Sequence, residues 1–300
     1  MIVTGLAGWI GVGAFLSRPP SASGALTTSG AAMQLRRVQH ADFVPARETG
    51  DPIFILAIGS DARPKVCMPV ERCLADSIHL IGINPKRHAA TILGFPRDSY
   101  VPIPGFGTSK INNALARGGP QLVVRTVEQL TGIRIDYYLL TSFSEFVGMV
   151  DLIGGLEVDI PYAISSSGNL PPFQAGPRKL DGEHALALAR NRKGTPNGDF
   201  SRSENQGLII LAALAQLREE FAQDPVTLFR WIAAGTPRVR SDLGLDEVFE
   251  LMLTALTITP EKVRNLVLPG GVGYAGTASV VFLGASADRI FKDMRKDGLA

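Results

Sequence analysis

Residues 53–95 read IFILAIGSDARPKVCMPVERCLADSIHLIGINPKRHAATILGF, and three apolar runs in this stretch decide the fold. Residues 53–58 (IFILAI) are apolar at every position, the pattern of a central strand buried on both faces. Residues 77–84 (SIHLIGIN) and 89–95 (AATILGF) are the second and third strands. The turn Asn84-Pro85-Lys86-Arg87 makes those two antiparallel neighbours. Further strands are expected at 136–141, 156–160, 263–268 and 279–283, and helices at 121–130, 144–153, 182–190, 204–221, 245–256 and 287–295. Strands interleaved with helices predict an α/β domain over residues 51–300, a three-layer α/β/α sandwich on a mixed central sheet.

Taken as up, down, up, the first three strands bring four residues to one edge. Asp61 follows the first strand, Asp76 precedes the second, and Arg97 and Asp98 follow the third. Two carboxylates there can share a hard cation, because Mg²⁺ takes one or two protein carboxylates plus substrate phosphate oxygens. Arg97 would face the same anion. Paired carboxylates also serve sugar hydrolysis, and a pair of solvated Asp turns would read the same.

A second cluster lies in LDGEHALALARNRKGTPNGDFSRSENQ, residues 180–206. Asp181 is placed to cap the helix that follows. Arg190 and Arg192 lie about 200° apart on an ideal helix, so they can grip one ligand only if the helix ends near Arg190. Lys193-Gly194-Thr195-Pro196 is such an ending. With Arg202 at the start of the next helix, these cations form a local anion site.

Bulk composition supports a local site over a diffuse one. The chain has 300 residues, 45% hydrophobic and 19% charged, which is enough for a substantial core. Its net charge of +2 excludes a nucleic-acid binder recognisable by bulk charge. The cations are 22 Arg against 8 Lys. Arg matches phosphate bidentately, although GC-rich codon usage produces the same bias.

Residues 1–16 are uncharged and apolar or small, and Arg18-Pro19-Pro20 ends the run. That is shorter than the roughly 20 residues of a spanning helix and lacks a basic leader, so a truncated membrane anchor or signal segment is expected. Residues 17–50, rich in Ser, Ala, Gly and Thr, read as a flexible linker. Cys67 and Cys73 have no His or second Cys pair nearby for zinc. A small disulfide outside the cytoplasm, or two free thiols, fits better.

Other familiar signals fail. There is no G-x-S-x-G, no H-E-x-x-H and no Walker lysine. Gly271-Val-Gly273-Tyr-Ala-Gly276 matches G-x-G-x-x-G but leads into an apolar run rather than a helix, and is expected to be a loop. His79 in mid-strand reads as a packed, hydrogen-bonded core residue.

The ordered motifs resemble the LytR-CpsA-Psr family of cell-wall glycopolymer transferases. They are Ile58-Gly-Ser-Asp61-Ala-Arg63, Ala75-Asp76-Ser-Ile78, Phe95-Pro-Arg97-Asp98-Ser-Tyr-Val-Pro-Ile-Pro104, Lys110-Ile-Asn-Asn113, Leu180-Asp-Gly182-Glu-His-Ala-Leu186, Arg190-Asn-Arg192 and Asp199 to Gln206. The resemblance implies a membrane-anchored protein with an extracytoplasmic catalytic domain. It implies Mg²⁺-dependent transfer of a glycan phosphate from a polyprenyl-diphosphate carrier to a peptidoglycan sugar hydroxyl. On that pattern Asp61 and Asp76 hold the metal, and Arg63, Arg97, Arg190, Arg192, Arg202 and Gln206 bind the pyrophosphate. Arg97 and Asp98 act in catalysis, Asp98 either orienting Arg97 or handling a proton. Apolar residues between sheet and helices take the lipid tail. Teichoic acid, capsule and arabinogalactan all remain open as the glycan. The family usually has Arg where this chain has Asn205, which leaves a non-catalytic polyprenyl-phosphate or wall-polymer binding protein as the alternative. A near-neutral charge and the expected anchor argue against a transcriptional regulator.

Overall fold

The computed structural model describes residues 50–63 and 65–300. The expected anchor, and the expected linker up to residue 49, lie outside the described residues. Among the described residues no helix is long and apolar enough to cross a membrane.

The first three strands form as their sequence dictates. β1 (Ile53–Ser60) pairs antiparallel with β2 (Ala75–Asn84), and β2 pairs antiparallel with β3 (Ala89–Gly94). A short hairpin follows, β4 (Tyr100–Ile103) and β5 (Gly107–Lys110). Helix α1 (Asn113–Thr131) is broken at Gly118-Gly119, where Gly119 takes φ +70° and Pro120 restarts the helix. β6 (Tyr137–Ser142) then runs parallel to β1 and leads directly into α2 (Phe143–Leu152). That helix starts with a capping box between Ser142 and Glu145.

The middle of the chain adds a ribbon and two helices. β7 (Leu156–Ile160) and β8 (Gly176–Leu180) pair as a ribbon, followed by α3 (Gly182–Arg190) and the long α4 (Asp199–Gln223). Asp181 caps α3 as expected, accepting from the His184 N–H at 2.8 Å. The chain continues through α5 (Thr227–Gly235), β9 (Arg240–Ser241), α6 (Leu245–Leu256), β10 (Val263–Val267), the hairpin β11 (Gly270–Ala275) and β12 (Ala278–Leu283), and α7 (Ser286–Asp297). The central sheet is mixed, in the order β10-β3-β2-β1-β6-β9.

β1 shows why an uninterrupted apolar run was required. Phe54, Leu56 and Ile58 pack on one side with Val123 and Val127 of α1 and Phe291 and Met294 of α7. Ile53 and Ile55 pack on the other with Leu214 of α4 and Leu251 of α6. Leu56, Leu80 and Leu93 are fully buried, each contributing roughly 1.5–3 kcal/mol. The sandwich therefore has α1 and α7 on one face and α4 and α6 on the other.

Three expectations need correction. The 271–276 segment is mostly not a loop: residues 271–275 lie in β11, paired with β12, and only Gly276 falls in the turn between them. Gly273 and the preceding Gly270 make room in the hairpin, since a Cβ at Gly270 would meet the Phe282 carbonyl at 2.5 Å and one at Gly273 the Phe282 ring at 2.9 Å. Helix α4 starts at Asp199, not Glu204. Strands β4 and β5 were not expected, because four-residue strands with Pro102 among them give little alternating signal.

Candidate active site

The β1–β2 pair carries a bulge. Gly59 faces Ser77 and Ser60 faces Ala75, which leaves Asp76 as the extra residue between them. A bulge re-aims a side chain, and here it turns the Asp76 carboxylate to the end of the sheet. Asp61 is fixed on the next loop by a reciprocal clasp. Its N–H donates to the Leu74 carbonyl at 2.9 Å and its Oδ1 accepts from the Leu74 N–H at 2.9 Å. Burial raises the Asp61 pKa above the ordinary carboxylate value, and the charge of Asp76 adds to this.

Arg97 leaves β3 and donates through Nη1 to Asp76 Oδ1. Burial alone would lower its pKa; the charges of Asp76, Asp98 and Asp199 outweigh that and hold the guanidinium above its usual value. Asp98 Oδ1 lies 4.0 Å from Arg97 Nε but 3.3 Å from Lys110 Nζ. Asp76 therefore orients Arg97, while Asp98 pairs with Lys110. The Arg97 Nε is buried without a hydrogen-bond partner.

The second cluster arrives as its sequence requires. Helix α3 stops at Arg190, and Asn191 is already extended. Asp199, not singled out as a site residue by sequence, gathers the cations. Its Oδ1 lies 3.4 Å from Arg202 and 3.7 Å from Arg192. Arg202 is only 5% exposed. Its burial, with the charge of Arg97 nearby, brings its pKa below the usual guanidinium value against the pull of Asp199, Asp76 and Asp98. It stays charged all the same. Phe143, also missed by sequence, lies under two guanidiniums: Arg190 at 4.7 Å and Arg63 at 5.9 Å from its centroid. Arg63 in turn donates to the Asp61 carbonyl at 3.4 Å. The expected arginines thus fall in three neighbouring groups, Arg97 with Asp76 and Asp98, Arg192 and Arg202 with Asp199, and Arg63 and Arg190 on Phe143, and the charge of Asp199 also acts on Arg97.

Gln206 occupies a different position from a simple phosphate ligand. Its amide nitrogen donates to the carbonyls of Asp76 at 3.2 Å and Ala189 at 3.0 Å, bracing the β2 bulge against the end of α3. Asn205 is buried, and its Nδ2 has no hydrogen-bond partner. Cys67 and Cys73 form a disulfide. It closes a loop pinned to the site by Ser60 Oγ, which donates to the Val70 carbonyl at 2.8 Å. His79 is fully buried between Ser77 and Ser203, a core residue as expected.

Beside the cluster is an apolar cavity of about 230 Å³. Leu139, Phe146, Met149, Leu186 and Ile209 supply its walls, and Asp76, Arg190 and Gln206 also line it. The apolar space and the charged cluster share these three residues.

The charge of Asp76 raises the cost of ionising Asp61, which a shared cation relieves, and two carboxylates suffice for Mg²⁺ when phosphate oxygens complete the shell. The donor set fits. Among the described residues there is no group of three or more His, Cys, Asp or Glu placed to hold a metal.

Comparison with known proteins places the chain in a family. The family model described as the LytR_cpsA_psr family matches residues 22–296. The polyisoprenyl-teichoic acid–peptidoglycan teichoic acid transferase TagU of Halalkalibacterium halodurans is 36% identical over 203 residues, covering 67% of this chain and 64% of the relative. The chain thus spans a little under two thirds of that relative's length. The crystal structure of Bacillus subtilis TagV superposes with a TM-score of 0.72 at 26% identity, covering 83% of this chain and 98% of that one. TagT bound to LIIa-WTA gives 0.69 at 25% identity, covering 89% and 97%. The chain belongs to the LytR_cpsA_psr family.

Proposed function

We propose that this chain transfers a glycan phosphate from a polyprenyl-diphosphate carrier to a sugar hydroxyl of peptidoglycan, at the outer face of the cell membrane, with Mg²⁺ as cofactor. The carrying observation is that a lipid-compatible cavity and an arginine cluster share Asp76, Arg190 and Gln206. A molecule with an apolar tail joined to a diphosphate suits that junction. The names of TagU and of TagT bound to LIIa-WTA support the same reading, and a teichoic-acid-type donor is the first to test.

Phosphoryl transfer depends on positioning and charge neutralisation more than on covalent chemistry. In this reading Arg97, Arg190, Arg192 and Arg202 bind the diphosphate, with Arg63 at the Phe143 rim. Preorganised guanidiniums neutralise the charge that builds on the leaving phosphate. Asp61 and Asp76 would hold Mg²⁺, which when bound adds further charge neutralisation. Asp98, free of the task of orienting Arg97, takes the proton of the attacking hydroxyl. The acceptor oxygen forms the new P–O bond, and the P–O bond to the lipid monophosphate breaks with its electron pair on the leaving oxygen.

The test is incubation of purified protein with a short-chain polyprenyl-diphosphate-linked disaccharide, peptidoglycan fragments and Mg²⁺, read by mass spectrometry. A phosphodiester-linked glycan and released lipid monophosphate are expected. Lipid diphosphate retained on the protein with no monophosphate formed would instead establish a binding protein without turnover.

A further inference from the structure

We infer that the aromatic pair Tyr100 and Phe282, on the rim beside Asp98, is the subsite that receives the acceptor sugar. This rests on the phosphotransfer reading above and assigns the half of the site that the arginines and the cavity leave undescribed.

The pair is fixed to Asp98 by main chain. The Val281 N–H donates to the Asp98 carbonyl at 2.9 Å, and Ser99 bridges to Val281. The next residues on each strand bring the rings of Tyr100 and Phe282 together edge-to-face, centroids 5.9 Å apart at 76°. Tyr100 is also the register partner of Lys110, whose Nζ is 3.3 Å from Asp98 Oδ1. Ring pair, ammonium and carboxylate are therefore held as one group.

Phe282 is 45% exposed, although its strand neighbours Val280 and Val281 are buried. An exposed Phe is ordinarily free to reorient, but this one is held. Tyr100 meets it edge-to-face, and it lies over Gly273, where a Cβ would come within 2.9 Å of the ring. A preorganised, partly exposed aromatic ring suits the C–H face of a pyranose, because the negative ring face attracts polarised C–H groups. Little side-chain entropy is then lost on binding.

Sidedness identifies the occupant as acceptor rather than donor. In the sheet order β10-β3-β2-β1-β6-β9, the cavity draws its sheet residues from β2, β1 and β6. The ring pair hangs from the segments that follow β3 and β10. Asp76 and Arg97 lie between. An in-line displacement puts the attacking oxygen opposite the leaving group. With the lipid phosphate departing toward the cavity, the hydroxyl approaches from the side of Asp98, Tyr100 and Phe282.

The test compares wild type, Phe282→Ala and Phe282→Trp in the transfer assay, with acceptor and donor varied separately. Phe282→Ala is expected to raise the KM for peptidoglycan glycan fragments about tenfold, with kcat at saturating acceptor within about twofold. Phe282→Trp is expected to restore the wild-type KM. An unchanged acceptor KM overturns the inference, as does a rise confined to the donor KM, which would assign the ring to the donor glycan. If the wild type neither transfers nor releases lipid monophosphate, the phosphotransfer reading fails by itself. Calorimetric titration of the same fragments then decides the subsite: weaker binding by Phe282→Ala supports it, and equal affinity overturns it.

Discussion

Arg97 and Asp76 are joined by a hydrogen-bonded ion pair, Nη1 to Oδ1, across the bulge that interrupts the β1–β2 ladder. The pair sets the orientation of an arginine that also senses Asp98 and Asp199. Replacing Arg97 by Ala removes both the positive charge and the directed fork. Loss of one preorganised donor costs about 10²–10³-fold in rate, and transfer in Arg97→Ala is expected to fall at least that far. Arg97→Lys keeps the charge and loses the fork, so it is expected to recover only part of the activity. Both variants should keep the wild-type circular dichroism spectrum. Arg97→Ala with full activity would remove Arg97 from the site.

Asp61 is poised to report the metal. Burial and the Asp76 charge raise its pKa, so it protonates at a higher pH than an ordinary Asp. A bound cation favours the carboxylate and pulls that pKa down. Raising Mg²⁺ is therefore expected to move the acid limb of the kcat/KM profile to lower pH, and Asp76→Asn to abolish that movement together with most of the activity. Chelation followed by Mg²⁺ addition gives the complementary measurement. A profile indifferent to Mg²⁺ would discard the metal.

Gln206 is expected to behave as a positioning residue. Its two hydrogen bonds tie the Asp76 carbonyl to the Ala189 carbonyl at the end of α3. Gln206→Leu leaves both part-buried carbonyls short of a donor, at a cost of about 1 kcal/mol. The expected result is a lower unfolding midpoint together with a rise in donor KM, since both Asp76 and Arg190 lose their common brace. Gln206→Glu tests the geometry separately, because an ionised carboxylate cannot donate to either carbonyl. A stability loss with an unchanged donor KM would confine Gln206 to structural support.

The sequence carried the sheet and the two clusters for physical reasons. A run apolar at every position, as at residues 53–58, has few alternatives to a strand covered on both faces, and the Asn84–Arg87 turn then orders its neighbours. The arginines were legible because a helix ending at Arg190 is the only way to bring Arg192 alongside it. The β2 bulge was not legible: one extra residue in a ladder leaves no compositional mark, yet it aims Asp76. Phe143 and Asp199 were missed because their importance lies in contacts from distant segments, with Arg63 and Arg190 in one case and Arg192 and Arg202 in the other. The aromatic pair was hidden for a related reason: Tyr100 and Phe282 meet only once two weakly patterned hairpins have docked.

His79 makes the core pH-sensitive without taking part in the chemistry. Its Nε2–H donates to the Ser203 carbonyl at 3.0 Å, so Nδ1 is left to accept from Ser77 Oγ at 3.1 Å, and the ring is neutral. Burial lowers its pKa to about 4 against 6.5 for a free His, although the Ser203 hydrogen bond opposes the shift. Between those values the unfolded chain binds more protons than the fold, so stability falls as pH falls through this window. The contribution is present above pH 6.5 and is expected to fall by about 2–3 kcal/mol near pH 4.5. Urea denaturation at pH 7.5 and pH 4.5 measures it. His79→Gln has no ionising ring, so it is expected to be less stable than wild type at pH 7.5 but to lose much less on acidification. The same decline in both proteins would assign the acid sensitivity to other groups.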